Sequence, residues 1–167
     1  KLLDTEAKEV PIGQPGEVAF RGPTLFSGYW NADETNAKEF RDGWFLMGDV
    51  LRRDSNGLLN FVDRVKYLIK SGGENIYPAE IEQVLLKDEW IIESVVVRRK
   101  DEKWGEVPVV FIVRGNDKLS EQDVFDRCHR ELPSYKRPKA VFFIDKADLP
   151  RSTTGKIQRH ELEARLR

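Results

Sequence analysis

From residue 17 to residue 63 the spacing of apolar side chains predicts β-strands. Glu17-Val18-Ala19-Phe20-Arg21 alternates polar with apolar, Trp44-Phe45-Leu46 and Val50-Leu51 are rich in β-prone residues, and Leu58-Leu59-Asn60-Phe61-Val62 follows a turn. That turn, Asp54-Ser55-Asn56-Gly57, carries an Asn-Gly pair suited to a hairpin with positive φ. One short helix should interrupt the region. Asn31 followed three residues later by Glu34 has the form of a reciprocal cap, and the segment to Phe40 is polar enough to lie on a surface.

Past Arg64 the pattern changes to alternating helices and strands. Tyr67-Leu68-Ile69 predicts a short strand, and Pro78 opens a helix with Ile81, Val84 and Leu85 on one face. Residues 91–98 and 107–113 predict two strands around the polar Lys100-Asp101-Glu102-Lys103 turn. A second helix starts at Ser120, with Asp123 three residues on, and turns Val124, Phe125, Cys128 and Leu132 inward. Residues 140–144 predict one more strand, and residues 158–167 a closing helix with Leu162 and Leu166 inward. The fold class is therefore α+β: a partial β-rich subdomain over residues 1–63, then a compact C-terminal domain over residues 64–167 with a small sheet flanked by helices. A β-rich piece of this size buries little surface alone, so it reads as one layer of a larger domain.

Composition narrows the class without naming a function. The chain has 167 residues, 40% hydrophobic and 34% charged, which suits a globular protein. With 28 Lys plus Arg against 29 Asp plus Glu, the net charge of -1 argues against nucleic acid or acidic membranes as partners, so any anion site must be local. The single cysteine, Cys128, excludes an internal disulfide and fits a reducing, cytoplasmic setting. His129 and His160 lack metal-ligand spacing and read as helix-surface residues, and no metal site is expected. No apolar run approaches membrane-spanning length. The opening Lys-Leu-Leu-Asp-Thr-Glu-Ala-Lys-Glu has neither a signal-peptide core nor an initiator Met, which predicts a chain that starts inside a longer protein.

Four places could carry chemistry. Asp49 follows an apolar strand and Gly48, where a ligand can approach the backbone; its carboxylate could accept two hydroxyl hydrogen bonds, or it could simply serve a turn. Arg64 offers a rigid donor fork for hydroxyl, phosphate or carboxylate. Alternatively it pairs with Asp63 or Asp49, an interaction worth about 0 to 1 kcal/mol when exposed. Ser71-Gly72-Gly73-Glu74-Asn75-Ile76-Tyr77-Pro78 reads as a strand-to-helix loop that lets a thin ligand pass, and it lacks the Gly-Lys-Ser/Thr ending of a nucleotide P-loop. In Leu149-Pro150-Arg151-Ser152-Thr153-Thr154-Gly155-Lys156-Ile157, Lys156 sits on a polar, glycine-hinged loop among three hydroxyls, where the ordinary alternative is a solubilising lysine.

In this order these segments resemble the carboxy-terminal part of the adenylate-forming superfamily, which includes acyl-CoA synthetases, peptide-synthetase adenylation domains and luciferases. The resemblance runs through GEVAFRGPTLFSGYWN (16–31), GWFLMGD (43–49), VDRVKYLIKSGGENIYPAEIE (62–82), WGEVPVVFIV (104–113), LPSYKRP (132–138) and LPRSTTGKIQR (149–159), nearly the whole chain. It implies a ligase that activates a carboxylic acid with ATP and Mg2+ as an acyl-adenylate, then passes the acyl group to CoA. Carried over motif by motif, Asp49 and Arg64 would hold the ribose hydroxyls, and Lys156 would reach the carboxylate and α-phosphate oxygens. Lys66 would be the hinge on which the small domain turns between half-reactions, in a position where aspartate is more usual. Gly72 and Gly73 would line the passage for the pantetheine of CoA, and Lys136 could contact CoA phosphate or be an exposed basic residue. The family's phosphate loop and acyl pocket would lie in a large N-terminal domain outside residues 1–167, its partner in the same chain, so the fragment alone would be inactive. SGGENIYPAEIE looks most like fatty-acid and related acyl-CoA ligases. The alternatives are an adenylation domain that loads a carrier protein and a non-catalytic interaction module.

Overall fold

The computed structural model describes residues 1–166; Arg167, the last residue of the expected closing helix, lies outside them. The chain divides into two compact units, Lys1–Lys66 and Tyr67–Arg167.

The first unit is a five-stranded antiparallel sheet of β1 (Leu2–Leu3), β2 (Pro15–Phe20), β3 (Phe40–Arg41), β4 (Trp44–Arg53) and β5 (Leu59–Arg64). Strand β4 is its spine, pairing with β2, β3 and β5. The two apolar stretches expected as separate strand signals, residues 44–46 and 50–51, are one strand, because Met47-Gly48-Asp49 bulges without ending the pairing. Glu17 faces Val50 and Ala19 faces Leu46, so two steps along β2 span four along β4. The Asp54 carboxylate closes the β4–β5 turn by accepting the Asn56 and Leu58 amides at 2.9 and 3.0 Å.

The helix α1 (Asp33–Glu39) forms without the expected cap. Ala32 is the capping residue and makes no side-chain bond, while Asn31 adopts φ +48° in the preceding turn. Asparagine tolerates that left-handed conformation, which turns it away from the capping position. The entry to α1 is instead tied down by Asn36, whose carboxamide accepts the Tyr29 amide at 2.7 Å and donates to the Tyr29 carbonyl at 2.8 Å.

The second unit contains β6 (Ile69–Ser71), β7 (Glu74–Ile76), α2 (Pro78–Leu85), β8 (Ile91–Asp101), β9 (Gly105–Arg114), α3 (Glu121–Glu131), β10 (Val141–Phe143) and α4 (Arg159–Ala164). Its sheet runs β10-β9-β6-β7 with β8 also on β9; only the β10–β9 pair is parallel. Two sequence expectations shift here. Val65–Tyr67 forms a single 3-10 turn, so the strand starts at Ile69, two residues after the expected start. The Ser71–Pro78 segment is not a plain strand-to-helix loop: Gly72 and Gly73 take φ +57° and +87°, pair Ser71 with Glu74 and send the chain back as β7. The closing helix is shorter than expected, ending at Ala164, with Leu162 buried and Leu166 partly buried.

Strands β8 and β9 are buried on both faces. Val96, Val110 and Ile112 pack on one side with Ile81, Leu85, Val124 and Cys128; Val95, Val97, Val109, Phe111 and Val113 pack on the other with Leu149 and Leu162. Burying each such aliphatic side chain stabilises the unit by about 1.5–3 kcal/mol. The capping box expected at the second helix is present. Ser120 Oγ accepts the Asp123 amide at 3.2 Å; the Asp123 carboxylate in turn accepts the Ser120 hydroxyl at 2.6 Å and the Ser120 amide at 2.9 Å, two bonds that hold its carboxyl below the ordinary range.

Burial pushes the Cys128 thiol up to about 11. Its reactive thiolate therefore stays scarce until pH approaches that value. A disulfide-exchange reagent at mildly alkaline pH should label native Cys128 slowly and the unfolded chain rapidly; equal rates would contradict the buried placement.

Candidate functional site

In the first unit the bulge in β4 aims a carboxylate. Gly48 reaches φ +73° and its amide donates to Glu17 Oε1 at 3.1 Å, fixing the residue just before Asp49. Burial raises the pKa of Glu17, an effect the Gly48 hydrogen bond and then the Arg41 charge partly offset. Asp49 lies directly opposite Arg64 across the β4–β5 pair, and Arg64 Nε stands 3.1 Å from Asp49 Oδ1. That contact is an ion pair lacking hydrogen-bond alignment, since Oδ1 is buried and takes no hydrogen bond. Of the two partners the sequence allowed for Arg64, Asp49 is the one its side chain meets; Asp63 instead accepts the Arg64 backbone amide at 2.7 Å.

The pair thus combines a carboxylate that is 24% exposed, with Oδ1 turned inward, and a guanidinium whose side chain is 52% exposed. Such a pairing suits a diol, whose two hydroxyls can donate to the one and accept from the other. Arg64, Gly48 and Lys66 also line a cleft of about 410 Å³ with Glu17, Lys38 and Arg41. Lys66 is the last residue of this unit.

In the second unit Lys156 is exposed on a closed loop. An antiparallel bridge joins Arg151 and Ile157, the Ser152 amide donates to the Lys156 carbonyl at 2.8 Å, and the Lys156 amide donates to Ser152 Oγ at 3.2 Å. Ser152 and Thr154 also share a hydroxyl hydrogen bond of 2.9 Å. Two of the three hydroxyls noted in the sequence, those of Ser152 and Thr154, therefore shape the loop itself.

The two glycines at the β6–β7 turn have different surroundings. A Cβ at Gly72 would stand 2.6 Å from the Trp104 ring, whereas one at Gly73 would meet nothing within 4 Å. Gly73 faces open space, and Gly72 is where Trp104 packs. Lys136 is not the freely exposed residue allowed for in the sequence. Its ammonium pairs with Glu80 Oε2 at 2.6 Å, and its side chain is only 17% exposed.

Three residues that sequence reasoning gave no role are prominent in the structure. Trp104 covers Gly72, Arg151 pairs with Glu93 on β8, and Arg159 makes a bidentate pair with Glu82. All lie inside the motif segments WGEVPVVFIV, LPRSTTGKIQR and SGGENIYPAEIE, or pair with a residue that does, but pairing across tens of residues leaves no local signal. Among the described residues no helix is long and apolar enough to cross a membrane.

Comparison with known proteins gives this geometry its context. Residues 80–156 match the family described as the AMP-binding enzyme C-terminal domain. A 2-succinylbenzoate–CoA ligase from Bacillus cytotoxicus is 39% identical over 160 residues, covering 96% of this chain and 33% of that protein. A long-chain-fatty-acid–CoA ligase from Yersinia pestis is 39% identical over 162 residues, covering 97% of this chain and 28% of its own length. The o-succinylbenzoate CoA synthetase of Bacillus subtilis, solved in complex with its acyl-adenylate intermediate, superposes with a TM-score of 0.85 at 35% identity over 97% of this chain and 33% of that one. The same enzyme solved with ATP and magnesium gives 0.83 at 34% identity, over 96% of this chain and 33% of that one. This chain spans about a third of the length of the curated relatives it matches. Residues 80–156 therefore carry the AMP-binding enzyme C-terminal domain, and the chain as a whole is similar in sequence and fold to about a third of the length of known CoA ligases.

Proposed function

We propose that the full-length protein is an AMP-forming acid–thiol ligase, which joins a carboxylic acid to ATP as an acyl-adenylate and transfers the acyl group to CoA. The observation that carries this reading is Lys156: an exposed lysine, in no ion pair among the described residues, at the end of a loop whose backbone is closed by its own hydrogen bonds. During in-line attack of the carboxylate on the α-phosphorus, charge accumulates on the phosphate oxygens, and a placed ammonium stabilises it. At about 4 Å and an effective dielectric near 20 that attraction is on the order of 4 kcal/mol.

Asp49 and Arg64 take the ribose hydroxyls of the nucleotide in this reading, supported by the partly exposed carboxylate–guanidinium pair on the β4 bulge. Lys66, where the two units meet in sequence, is the hinge. Gly73 lines the pantetheine passage, supported by the open space beside it, and Gly72 belongs to the same turn. Lys136 takes a phosphate of CoA only by leaving Glu80. Magnesium arrives with the nucleotide, and no residue of this chain is assigned to it. The large N-terminal domain of the same protein supplies the acyl pocket, and the single buried thiol supports a reducing, cytoplasmic setting.

Lys156→Ala in the full-length protein should slow acyl-adenylate formation by roughly two to three orders of magnitude while sparing thiol transfer from supplied adenylate. Rapid-quench assays of the two half-reactions check this, and equal loss in both would sink the assignment. Gly73→Leu should depress thiol transfer more than adenylation. The left-handed φ at that position strains any side chain, but strain would weaken both steps, so a selective loss marks the passage.

A further inference from the structure

Two arginines flank Lys156, and each ties one arm of its loop to strand β8. Before the lysine, Arg151 reaches in two directions: Nη1 donates to the Gly155 carbonyl at 3.0 Å, and Nη2 pairs with the Glu93 carboxylate. After it, Arg159 Nη1 donates to the Val96 carbonyl at 2.6 Å and to Glu82 Oε1 at 2.5 Å, while Nη2 donates to Glu82 Oε2 at 3.0 Å. The Val96 amide completes the ring by donating to Glu82 Oε1 at 2.7 Å, and the Arg159 guanidinium lies 4.8 Å from the centre of the Tyr67 ring. Glu93 and Val96 both belong to β8, the strand buried on both faces.

The two attachments differ in character. Arg159 and Glu82 are 15% and 13% exposed in their side chains and hold α4 to α2 and β8, so their pair supports the unit as a whole. Removing one partner there leaves a buried charge uncompensated. Arg151 and Glu93 are more open, at 34% and 20%, and what Arg151 grips inside the loop is the carbonyl of the residue immediately before Lys156. Apart from the loop's own hydrogen bonds, the apolar anchors are Leu149 and Ile157, at its two ends. A loop so lightly packed drifts unless something fixes its backbone, and a displacement of an ångström in a charge-stabilising group is costly to rate.

We propose that Arg151, braced by Glu93, is a positioning residue for Lys156: it sets where the loop presents the ammonium, and Arg159 anchors the rear of the same loop. This rests on the reading of Lys156 as the lysine that assists adenylation. Charge-assisted bonds in a fork geometry suit the task, since one guanidinium orients the carbonyl and meets the carboxylate at once.

The test uses the full-length ligase and separate assays of the two half-reactions. Arg151→Gln, and independently Glu93→Gln, should slow acyl-adenylate formation roughly tenfold to a hundredfold and leave thiol transfer from supplied adenylate nearly unchanged. Added to Lys156→Ala, neither should slow adenylation further, because a residue that acts through the lysine has nothing left to position. Unchanged adenylation in both single variants, parallel loss in both half-reactions, or a further loss in the Lys156→Ala background would each overturn the proposal. The reading of Lys156 fails separately. If Lys156→Ala alone spares adenylation, that reading falls and takes this proposal with it, whereas a slow Lys156→Ala beside unaffected Arg151 and Glu93 variants overturns only the positioning role.

Discussion

A pair of strands buried on both faces organises the second unit. Because side chains alternate along β8 and β9, Val96, Val110 and Ile112 serve one core while Val95, Val97, Val109, Phe111 and Val113 serve another. Helices α2 and α3 cover the first face; α4 and the segments around Leu149 and Ile157 cover the second. Anything fastened to β8 therefore stands on the least deformable part of the unit. The Lys156 loop is fastened there through Glu93 and Val96, so an exposed and polar segment gains a fixed base.

The first unit uses the opposite device. Its spine strand is interrupted where the candidate chemistry sits, with the Gly48 bulge turning Asp49 toward Arg64 while pairing continues on either side. Glu17 holds the bulge from the neighbouring strand through the Gly48 amide. A regular strand would have carried Asp49 through in plain alternation; the irregularity is what leaves a buried carboxylate oxygen without a hydrogen bond beside an exposed guanidinium.

How much of this could be read from the sequence follows from the range of the interactions. Alternation placed β2, the turns beside apolar runs placed β5, β8 and β9, and helical spacing placed Ile81, Leu85, Val124 and Cys128 in the core, because those signals lie within a few residues of one another. The Ser120–Asp123 capping box was equally legible, being a contact across three residues. Local chemistry misled at Asn31, where a left-handed turn competes with capping, and at Gly72-Gly73, where a two-residue turn adds a strand the loop reading lacked. The candidate residues Asp49, Arg64 and Lys156 came from motifs, but their supports did not. Glu17 beneath Gly48, Glu93 beside Arg151 and Glu82 around Arg159 are separated by 31, 58 and 77 positions, and only tertiary structure brings such partners together.

The account rests on the claim that these groups serve acid activation by ATP. Pyrophosphate and AMP release by the full-length protein, measured across a panel of carboxylic acids with and without CoA, tests that claim most directly. The account predicts pyrophosphate release that depends on one class of acid, with AMP and acyl-CoA appearing in step only when CoA is present. No release with any acid would contradict it and leave the fold as a binding module without the reaction.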